Sequence, residues 1–273
     1  MVPYKGILEK MQTAPTSPVS YAMTLSDAVL PLNAYLGQRL TLTFTGREFC
    51  TQCGRVVKKR FQDAYCYPCF LEVQACGLCM IHPERCCIEK TGCDVTQWAH
   101  ASCGVPHVVY LANSSGLKVG ITRVSQQPTR WLDQGAIAAL PFLWVPNRYQ
   151  AGQLEVVFKT HVADKTNWRR LLLGVAEPVD LMAERERLWA LVSGEIEVCA
   201  ATFKDAGWTR LTETIRTFEY PVLHYPARIT SLSLTPDVAV GGVLQGIKGQ
   251  YLLWDTGVMN VRKYAGCEVL LET

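Results

Sequence analysis

The feature that most constrains this chain is the concentration of its cysteines. Ten of its twelve cysteines lie between Cys50 and Cys103, and four of them form the array Cys50-x2-Cys53-x12-Cys66-x2-Cys69. Two Cys-x-x-Cys knuckles at this spacing supply four thiolates to one tetrahedral Zn²⁺, with Zn–S bonds of about 2.3 Å and no open coordination position. The array therefore predicts a zinc ribbon whose metal is structural.

Two disulfides are the competing interpretation of the same four cysteines, and they would require an oxidising compartment. The first twelve residues contain Lys5, Glu9 and Lys10, with neither a long apolar run nor a small-residue cleavage pattern, so nothing there predicts export. The longest apolar stretches are too short for the roughly 20 residues that span a bilayer. We therefore expect a cytoplasmic protein that binds zinc and has no membrane segment.

Six further cysteines lie between residues 70 and 103, which is too many for one more metal site. They are Cys76, Cys79, Cys86, Cys87, Cys93 and Cys103. A second Zn²⁺ needs four ligands, and the set that we favour is Cys79, Cys86, Cys93 and Cys103, which is spread widely enough to wrap a loop around a metal. Cys76 and Cys87 would then be buried free thiols, although Cys76 and Cys79 also have knuckle spacing. Alternatively, several of the six are small apolar residues of a tightly packed module.

The net charge of the chain is small, but its distribution is uneven. A length of 273 residues with 49% hydrophobic content allows a substantial core in one to three domains, and the formal net charge is only +3. Between residues 104 and 176, eight Lys and Arg stand against three acids, so this segment alone carries +5. A local positive field of this kind is what a polyanion such as nucleic acid would encounter.

Both ends of the chain are rich in β-forming residues. Residues 40–45 alternate apolar and polar side chains, and β-rich pieces separated by glycines lie between residues 229 and 271. We predict that the two ends pack together as one small β-barrel or sandwich, with the remaining segments inserted between its strands. Apolar residues at helical spacing predict a helix over about residues 179–192.

The middle of the chain predicts the element order β-β-α-β-α. Residues 107–112 and 117–121 are β-rich runs around a turn cluster, which predicts a hairpin. A helix is predicted to start at residues 125–128, and a third strand to cover residues 138–145. A second helix follows, with Leu154 and Phe158 in its buried stripe and Glu155 offset toward its edge.

This order resembles the GIY-YIG nuclease superfamily over about residues 105–173. Val108-Val109-Tyr110 stands where the family has Gly-Ile-Tyr, and Lys118-Val119-Gly120 stands where it has Tyr-Ile-Gly. Arg130 falls at the family's helix arginine, Glu155 at its metal-binding glutamate, and Asn167 near its late asparagine. Nearly the whole chain is also similar to a bacterial family, domain of unknown function 2797, chiefly through residues 108–111, 118–123 and 130–136.

Taken with this resemblance, the predicted fold class is α+β, with a GIY-YIG-like β-β-α-β-α core, a zinc-ribbon module and a β-barrel or sandwich built from both chain ends. The predicted segments are an N-terminal β segment (1–48), the cysteine-rich module (49–104), the GIY-YIG-like domain (105–176), a helical connector (177–228) and a C-terminal β region (229–273).

The resemblance implies metal-dependent hydrolysis of phosphodiester bonds in DNA or RNA. Glu155 would hold Mg²⁺ or Mn²⁺, and Arg130 would bind the same phosphate through its fork of donors. Tyr110 would orient or deprotonate the attacking water, although a tyrosine pKa near 10 must be lowered for that task. Lys118, which replaces the family's second tyrosine, would either lower that pKa or bind phosphate. Further contacts to nucleic acid are expected from Arg123, Arg148, Asn167, Arg169 and Arg170.

Each of these residues also has a purely structural explanation. Tyr110 can be a half-buried core aromatic, Glu155 and Lys159 an ordinary i,i+4 pair, and Asn167 a helix cap. Two other functions therefore stay open. One is a catalytically inactive, zinc-containing nucleic-acid-binding protein that uses the arginines above together with Lys165. The other is a zinc-stabilised scaffold for protein partners.

Overall fold

The computed structural model describes residues 3–62, 65–72, 77–89, 97–204 and 207–273. The predicted α+β class is confirmed. The strands of the described residues are β1 (Tyr4–Ile7), β2 (Gln12–Ala14), β3 (Ser20–Leu25), β4 (Ala28–Pro31), β5 (Arg39–Phe49), β6 (Val56–Val57), β7 (His107–Asn113), β8 (Leu117–Arg123), β9 (Ala138–Val145), β10 (Thr209–Arg210), β11 (Arg216–Thr217), β12 (Ala239–Lys248), β13 (Tyr251–Trp254), β14 (Gly257–Asn260) and β15 (Cys267–Glu272). The helices are α1 (Tyr67–Glu72), α2 (Leu78–Ile81), α3 (Gln97–Ser102), α4 (Thr129–Asp133), α5 (Arg148–Lys159), α6 (Trp168–Leu172) and α7 (Leu181–Ala200).

The two ends of the chain share one sheet. β15 lies between β1 and β5 and pairs antiparallel with both. β12 pairs with the other side of β5, and β13 and β14 follow it. The prediction that the chain ends pack together is therefore confirmed. The strand order β1-β15-β5-β12-β13-β14 is open, so within the described residues no closed barrel forms.

A three-stranded sheet, β2-β3-β4, covers the same core as this large sheet. Met23 and Leu30 from the smaller sheet are buried with Leu42 and Val269 from the larger one. Apolar and polar residues alternate in β5, and every second side chain of a strand points to the same face. Leu40, Leu42 and Phe44 therefore all point into this core. Of the two forms predicted for the chain ends, the open arrangement of two sheets around one core is the one observed.

The middle of the chain forms a second sheet with its own core. Its strand order is β10-β9-β7-β8, and β11 also pairs with β9. The helices α5 and α7 bury Phe158 and Leu188 against one face of the sheet, with Val109 and Leu143. On the other face Tyr110 packs against Trp131 of α4. The elements therefore follow the predicted β-β-α-β-α order, and β8 is an edge strand.

Several local predictions need correction. α7 continues to Ala200 rather than ending near residue 192. α4 starts at Thr129, one residue after the predicted start region. Glu155 does not lie at a solvent-facing edge of α5, because its exposed fraction is only 6%. None of the described helices combines the length and apolar character needed to cross a membrane.

Candidate functional site

The four cysteines of the predicted ribbon meet at one point. The Sγ atoms of Cys50, Cys53, Cys66 and Cys69 all lie within 4.8 Å of one another, and those of Cys53 and Cys66 are 3.8 Å apart. Sulfurs placed about 2.3 Å from a central ion in a tetrahedron are separated by about 3.8 Å, whereas a disulfide needs about 2.05 Å. The four thiols are free and are placed so that they could hold a metal such as zinc.

The local backbone favours this cluster. Cys50 follows the last residue of β5, and a tight turn after it is closed by the Gly54 N–H donating to the Cys50 carbonyl at 2.9 Å. Burial acts to raise the pKa of the Cys50 thiol, but backbone N–H groups of Cys66, Cys53 and Gln52 outweigh it and lower the pKa to about 6. Donors that stabilise a thiolate favour the form that binds metal.

The second predicted set of ligands is only partly described. Cys86 and Cys103 are buried and share a hydrogen bond between their sulfurs, which lowers the pKa of Cys86 to about 6 and raises that of Cys103. Burial and the charge of the nearby Cys86 raise the pKa of the Cys79 thiol. Cys76 and Cys93 lie outside the described residues. In the part of the chain that the structure describes, no second group has metal-ligand distances, so a second zinc stays a prediction.

A cleft of about 500 Å³ runs along the edge strand β8. Six Lys or Arg side chains and two carboxylates line it: Lys118, Arg123, Arg130, Arg148, Lys159 and Arg262, with Glu155 and Asp164. The four residues predicted to be catalytic all lie here together with the two predicted binding residues Arg123 and Arg148. Asn167, Arg169 and Arg170 do not line the cleft. Its excess of positive charge suits an anionic ligand.

Tyr110 lies on the central strand β7, directly opposite Gly120 of β8. A Cβ at Gly120 would come within 2.7 Å of the phenol oxygen, so glycine is needed for the ring to lie across the edge strand. The hydroxyl donates to Gln134 Oε1 at 3.2 Å. Burial raises the pKa of Tyr110 to about 12, although the nearby Arg130 charge opposes the rise. Tyr110 is therefore a protonated donor at neutral pH.

Lys118 donates to the same acceptor. Its Nζ lies 2.5 Å from Gln134 Oε1 and 3.1 Å from Thr166 Oγ1. The side chain is buried, and this burial, together with the charge of Arg130, lowers the pKa of Lys118 to about 8. A neutral amine has two hydrogens and one lone pair. Both hydrogens are occupied by these two acceptors, so the lone pair remains free to accept a proton.

Glu155 contributes a carboxylate from α5. Lys159, one turn later, pairs with it at 3.1 Å, and the same ammonium pairs with Asp164 at 3.3 Å. Burial raises the pKa of Glu155, with the Lys159 charge opposing the rise. One cation thus lies between two carboxylates. A hydrated Mg²⁺ or Mn²⁺, which takes one or two carboxylate oxygens, fits this donor set if the lysine moves aside.

Arg130 is exposed on α4, and the C-terminal sheet holds this helix in place. The buried Gln250 accepts from the Met11 N–H at 2.8 Å and donates to the Met11 carbonyl and to Asp133 Oδ1, both at 2.9 Å. Asp133 is the last residue of α4 and also pairs with Lys10 at 3.1 Å. The orientation of the helix that carries Arg130 therefore depends on contacts with both chain ends.

Arg148 has structural partners in the cysteine-rich module. Its guanidinium donates to the carbonyls of Cys79 and Met80 at 3.3 and 2.9 Å. These bonds connect the start of α5 to the end of α2. Arg148 therefore lines the cleft while part of its hydrogen-bonding capacity is already used.

The late predicted residues form a separate group on α6. The Asn167 side chain caps this helix by accepting from the N–H groups of Arg169 and Arg170, both at 3.2 Å, so the helix-cap interpretation is confirmed. The Arg169 guanidinium lies 4.5 Å from the centre of the Trp168 ring. Arg170 pairs with Glu177 at 3.5 Å.

Sequence reasoning missed Gln134, Asp164 and Arg262 as members of the cleft. Gln134 lies within the run of residues 130–136 that carried the family resemblance, so a signal for it existed. Asp164 lies five residues after Lys159 and beyond the end of α5, where helical spacing no longer predicts contacts. Arg262 comes from the C-terminal β region, and no local pattern connects it to the other members.

Comparison with known proteins gives one family. The family model described as "Protein of unknown function (DUF2797)" matches residues 37–269. This range includes the cysteine cluster and every residue of the cleft. No curated protein and no solved structure matches the chain.

Proposed function

This chain belongs to the DUF2797 family, and from the chemistry of its cleft we propose that it hydrolyses phosphodiester bonds in DNA or RNA with a divalent metal. The observation that carries the proposal is the lining of the cleft, where six cationic side chains surround two carboxylates that share one cation position. Cationic side chains compensate the charge of a phosphodiester backbone. Paired carboxylates are the ligands that Mg²⁺ and Mn²⁺ prefer.

Glu155 and Asp164 would hold the metal where the Lys159 ammonium now lies. When bound, the ion supplies charge neutralisation at the phosphate and at the leaving oxygen. Lys159 is released from its two carboxylates in this arrangement and becomes available to a phosphate oxygen. Arg130, on the α4 side of the cleft, binds the same phosphate through its planar fork of donors.

Lys118 is assigned the role of general base in place of Tyr110. An efficient base has a pKa near the operating pH, and the pKa of Lys118 is lowered to about 8 whereas that of Tyr110 is raised to about 12. Tyr110 instead has a positioning role, because its hydroxyl and the Lys118 amine donate to the same Gln134 oxygen. The water that attacks the phosphate would give its proton to the Lys118 lone pair.

The four cysteines of the cluster bind one Zn²⁺ in this proposal, and its role is structural. Closed sites with four sulfur ligands leave no position for substrate. The metal would tie the end of β5 to the start of α1.

Cleavage assays on the zinc-replete protein test the proposal. Structured RNA, duplex DNA, branched DNA and single strands are offered with Mg²⁺ or Mn²⁺. We expect Glu155→Ala and Arg130→Ala each to abolish cleavage while zinc content and thermal unfolding stay unchanged. Arg39→Ala is the matched control, since Arg39 is an exposed cation that does not line the cleft.

Two results would count against the nuclease. One is the absence of cleavage of every substrate by the wild-type protein, and the other is full activity of Glu155→Ala. Salt-sensitive binding of nucleic acid without cleavage would favour the second candidate, a binding protein that uses the same positive cleft. Absence of both binding and cleavage would leave the scaffold for protein partners.

A further inference from the structure

A second and larger groove, of about 1240 Å³, opens beside the cleft. Its lining includes residues 7–10 at the end of β1, residues 49–51 and Gly54 beside the cysteine cluster, and Gln62 and Tyr65. The groove therefore lies where the terminal sheet meets the cysteine cluster. Met80 and Arg262 line both the groove and the cleft. The two cavities are therefore neighbours that meet at these two residues.

Arg262 and Lys263 are well placed to bind phosphate at this junction. They lie on a short 3-10 helix, Val261–Tyr264, whose first and last side chains are buried while the two cations are exposed. Within the described part of the chain, neither cation pairs with an acid. The buried neighbours fix the turn, so both cations are held at the junction without being neutralised.

The groove differs from the cleft in its charge. It contains Lys10, Arg262 and Lys263 but also Glu9 and Asp27, and Lys10 is already paired with Asp133. The groove therefore has too little net positive charge to attract a polyanion without the cleft. It can extend the binding of a strand that the positive cleft has already captured, through the two exposed cations Arg262 and Lys263.

We propose that a single strand of nucleic acid leaves the cleft over Arg262 and continues into this groove. Arg262 and Lys263 bind phosphates along the way, as the cations of a groove that follows the backbone of a single strand do. A single strand is favoured because double-stranded nucleic acid is stiff, with a persistence length of about 150 base pairs for DNA. A duplex, unlike a single strand, does not bend within the two residues at which the cleft and the groove meet. This inference rests on the proposed function and adds the form of its substrate.

The test compares a long and a short substrate in Lys263→Ala, which changes the groove alone, and in the double variant Arg262→Ala/Lys263→Ala. A labelled single-stranded 12-mer reports on cleft and groove together, by fluorescence anisotropy without Mg²⁺. A nucleoside p-nitrophenyl phosphodiester reports on the cleft alone, by its turnover with Mg²⁺. Arg39→Ala is again the control, and zinc content with thermal unfolding verifies that each variant folds.

We expect the double variant to bind the 12-mer on the order of tenfold more weakly at low salt, with a salt dependence of log K that is shallower by about 1.4, the value for two lost phosphate contacts on a single strand. Turnover of the small phosphodiester should be unchanged in Lys263→Ala, because Lys263 lines the groove and not the cleft. Unaltered 12-mer binding by the double variant would overturn the inference, and so would an equal loss of Lys263→Ala on both substrates or a preference for duplex. A wild-type protein that neither binds nor cleaves any substrate would instead overturn the proposed function.

Discussion

Burial is the main cause that shifts the pKa values of the neighbouring side chains Tyr110 and Lys118 in opposite directions. Both donate to the Gln134 oxygen, and both are almost inaccessible to solvent. Desolvation disfavours the charged form of each group, so it raises the pKa of the phenol and lowers that of the amine. At neutral pH the tyrosine therefore keeps its proton more firmly, whereas the lysine releases its proton more easily.

In the resemblance to the GIY-YIG nucleases, Lys118 stands where a second tyrosine is expected, and this difference puts tyrosine-based catalysis in doubt at the level of sequence. The structure gives a physical reason to assign the base to the lysine. Lys118 is buried with contacts to Gln134 and Thr166, which are distant in sequence, and no short motif encodes such packing.

The variant Lys118→Arg distinguishes two roles that Lys118 could have, a general base or a cation that binds phosphate. The active form is the neutral amine, whose fraction rises about tenfold per pH unit below a pKa of about 8 and levels off above it. We therefore expect kcat/KM of the wild type to rise up to about pH 8 and then stay constant. Arginine stays protonated, so the variant should lose cleavage but still bind the 12-mer.

The measurement is kcat/KM between pH 6 and 10, with Lys165→Arg as the control because Lys165 is exposed and does not line the cleft. A wild-type rate that falls above pH 8 would show that Lys118 acts as a cation. An active Lys118→Arg would exclude it as the base.

At the scale of elements, strongly periodic segments were predictable and interrupted ones were not. β9 has the predicted bounds, and the hairpin of β7 and β8 is where its turn cluster indicates. β2, β3 and β4 were not predicted individually, because two prolines interrupt their pattern and long-range packing on β5 stabilises them. α7 passes through Gly194, since a mid-helix glycine costs only about 1 kcal/mol and Ile196 remains buried beyond it.

The cysteine cluster was predictable as an element because its ligands are close in sequence. Cys50→Ser removes one of four ligands, and folding of such a module is coupled to metal binding. We expect the variant to contain one zinc fewer per chain than the wild type and to become sensitive to proteolysis within residues 50–72. Elemental analysis and limited proteolysis measure the two effects.

Cys199→Ser is the matched control, because Cys199 is a half-buried free thiol in the last turn of α7. It should leave the zinc content unchanged. Wild-type protein without metal and with four fewer titratable thiols than expected would show that disulfides form instead.

At the scale of the whole molecule, the cleft is assembled from three parts of the chain. β8, α4 and α5 supply most of it, the cysteine-rich module adds Met80 and Pro83, and the C-terminal region adds Arg262. Hydrogen bonds from single side chains, such as those of Gln250 and Arg148, connect these parts. Contacts of this kind depend on how closely two backbones approach, and hydrophobic periodicity carries no information about that distance.

At Gly152 the backbone of α5 lies directly against the backbone of the cysteine-rich module. Gly152 lies on α5, one turn before Glu155, and a Cβ at this position would collide with the backbone of Pro83 and Glu84. Gly194, on α7, has open space around the same position. The two glycines are both within α-helices, so a difference in stability between their alanine variants comes from the backbone contact at Gly152 rather than from helix propensity.

We expect Gly152→Ala to lower the free energy of unfolding by about 1–3 kcal/mol, because the segment of Pro83 must move away. Gly194→Ala should raise it by about 0.5–1 kcal/mol through helix propensity alone. Denaturant unfolding measures both. Cleavage should fall only in Gly152→Ala, since Pro83 and Glu155 both line the cleft. Equal effects of the two substitutions, or full activity of a destabilised Gly152→Ala, would mean that the cysteine-rich module does not shape the site.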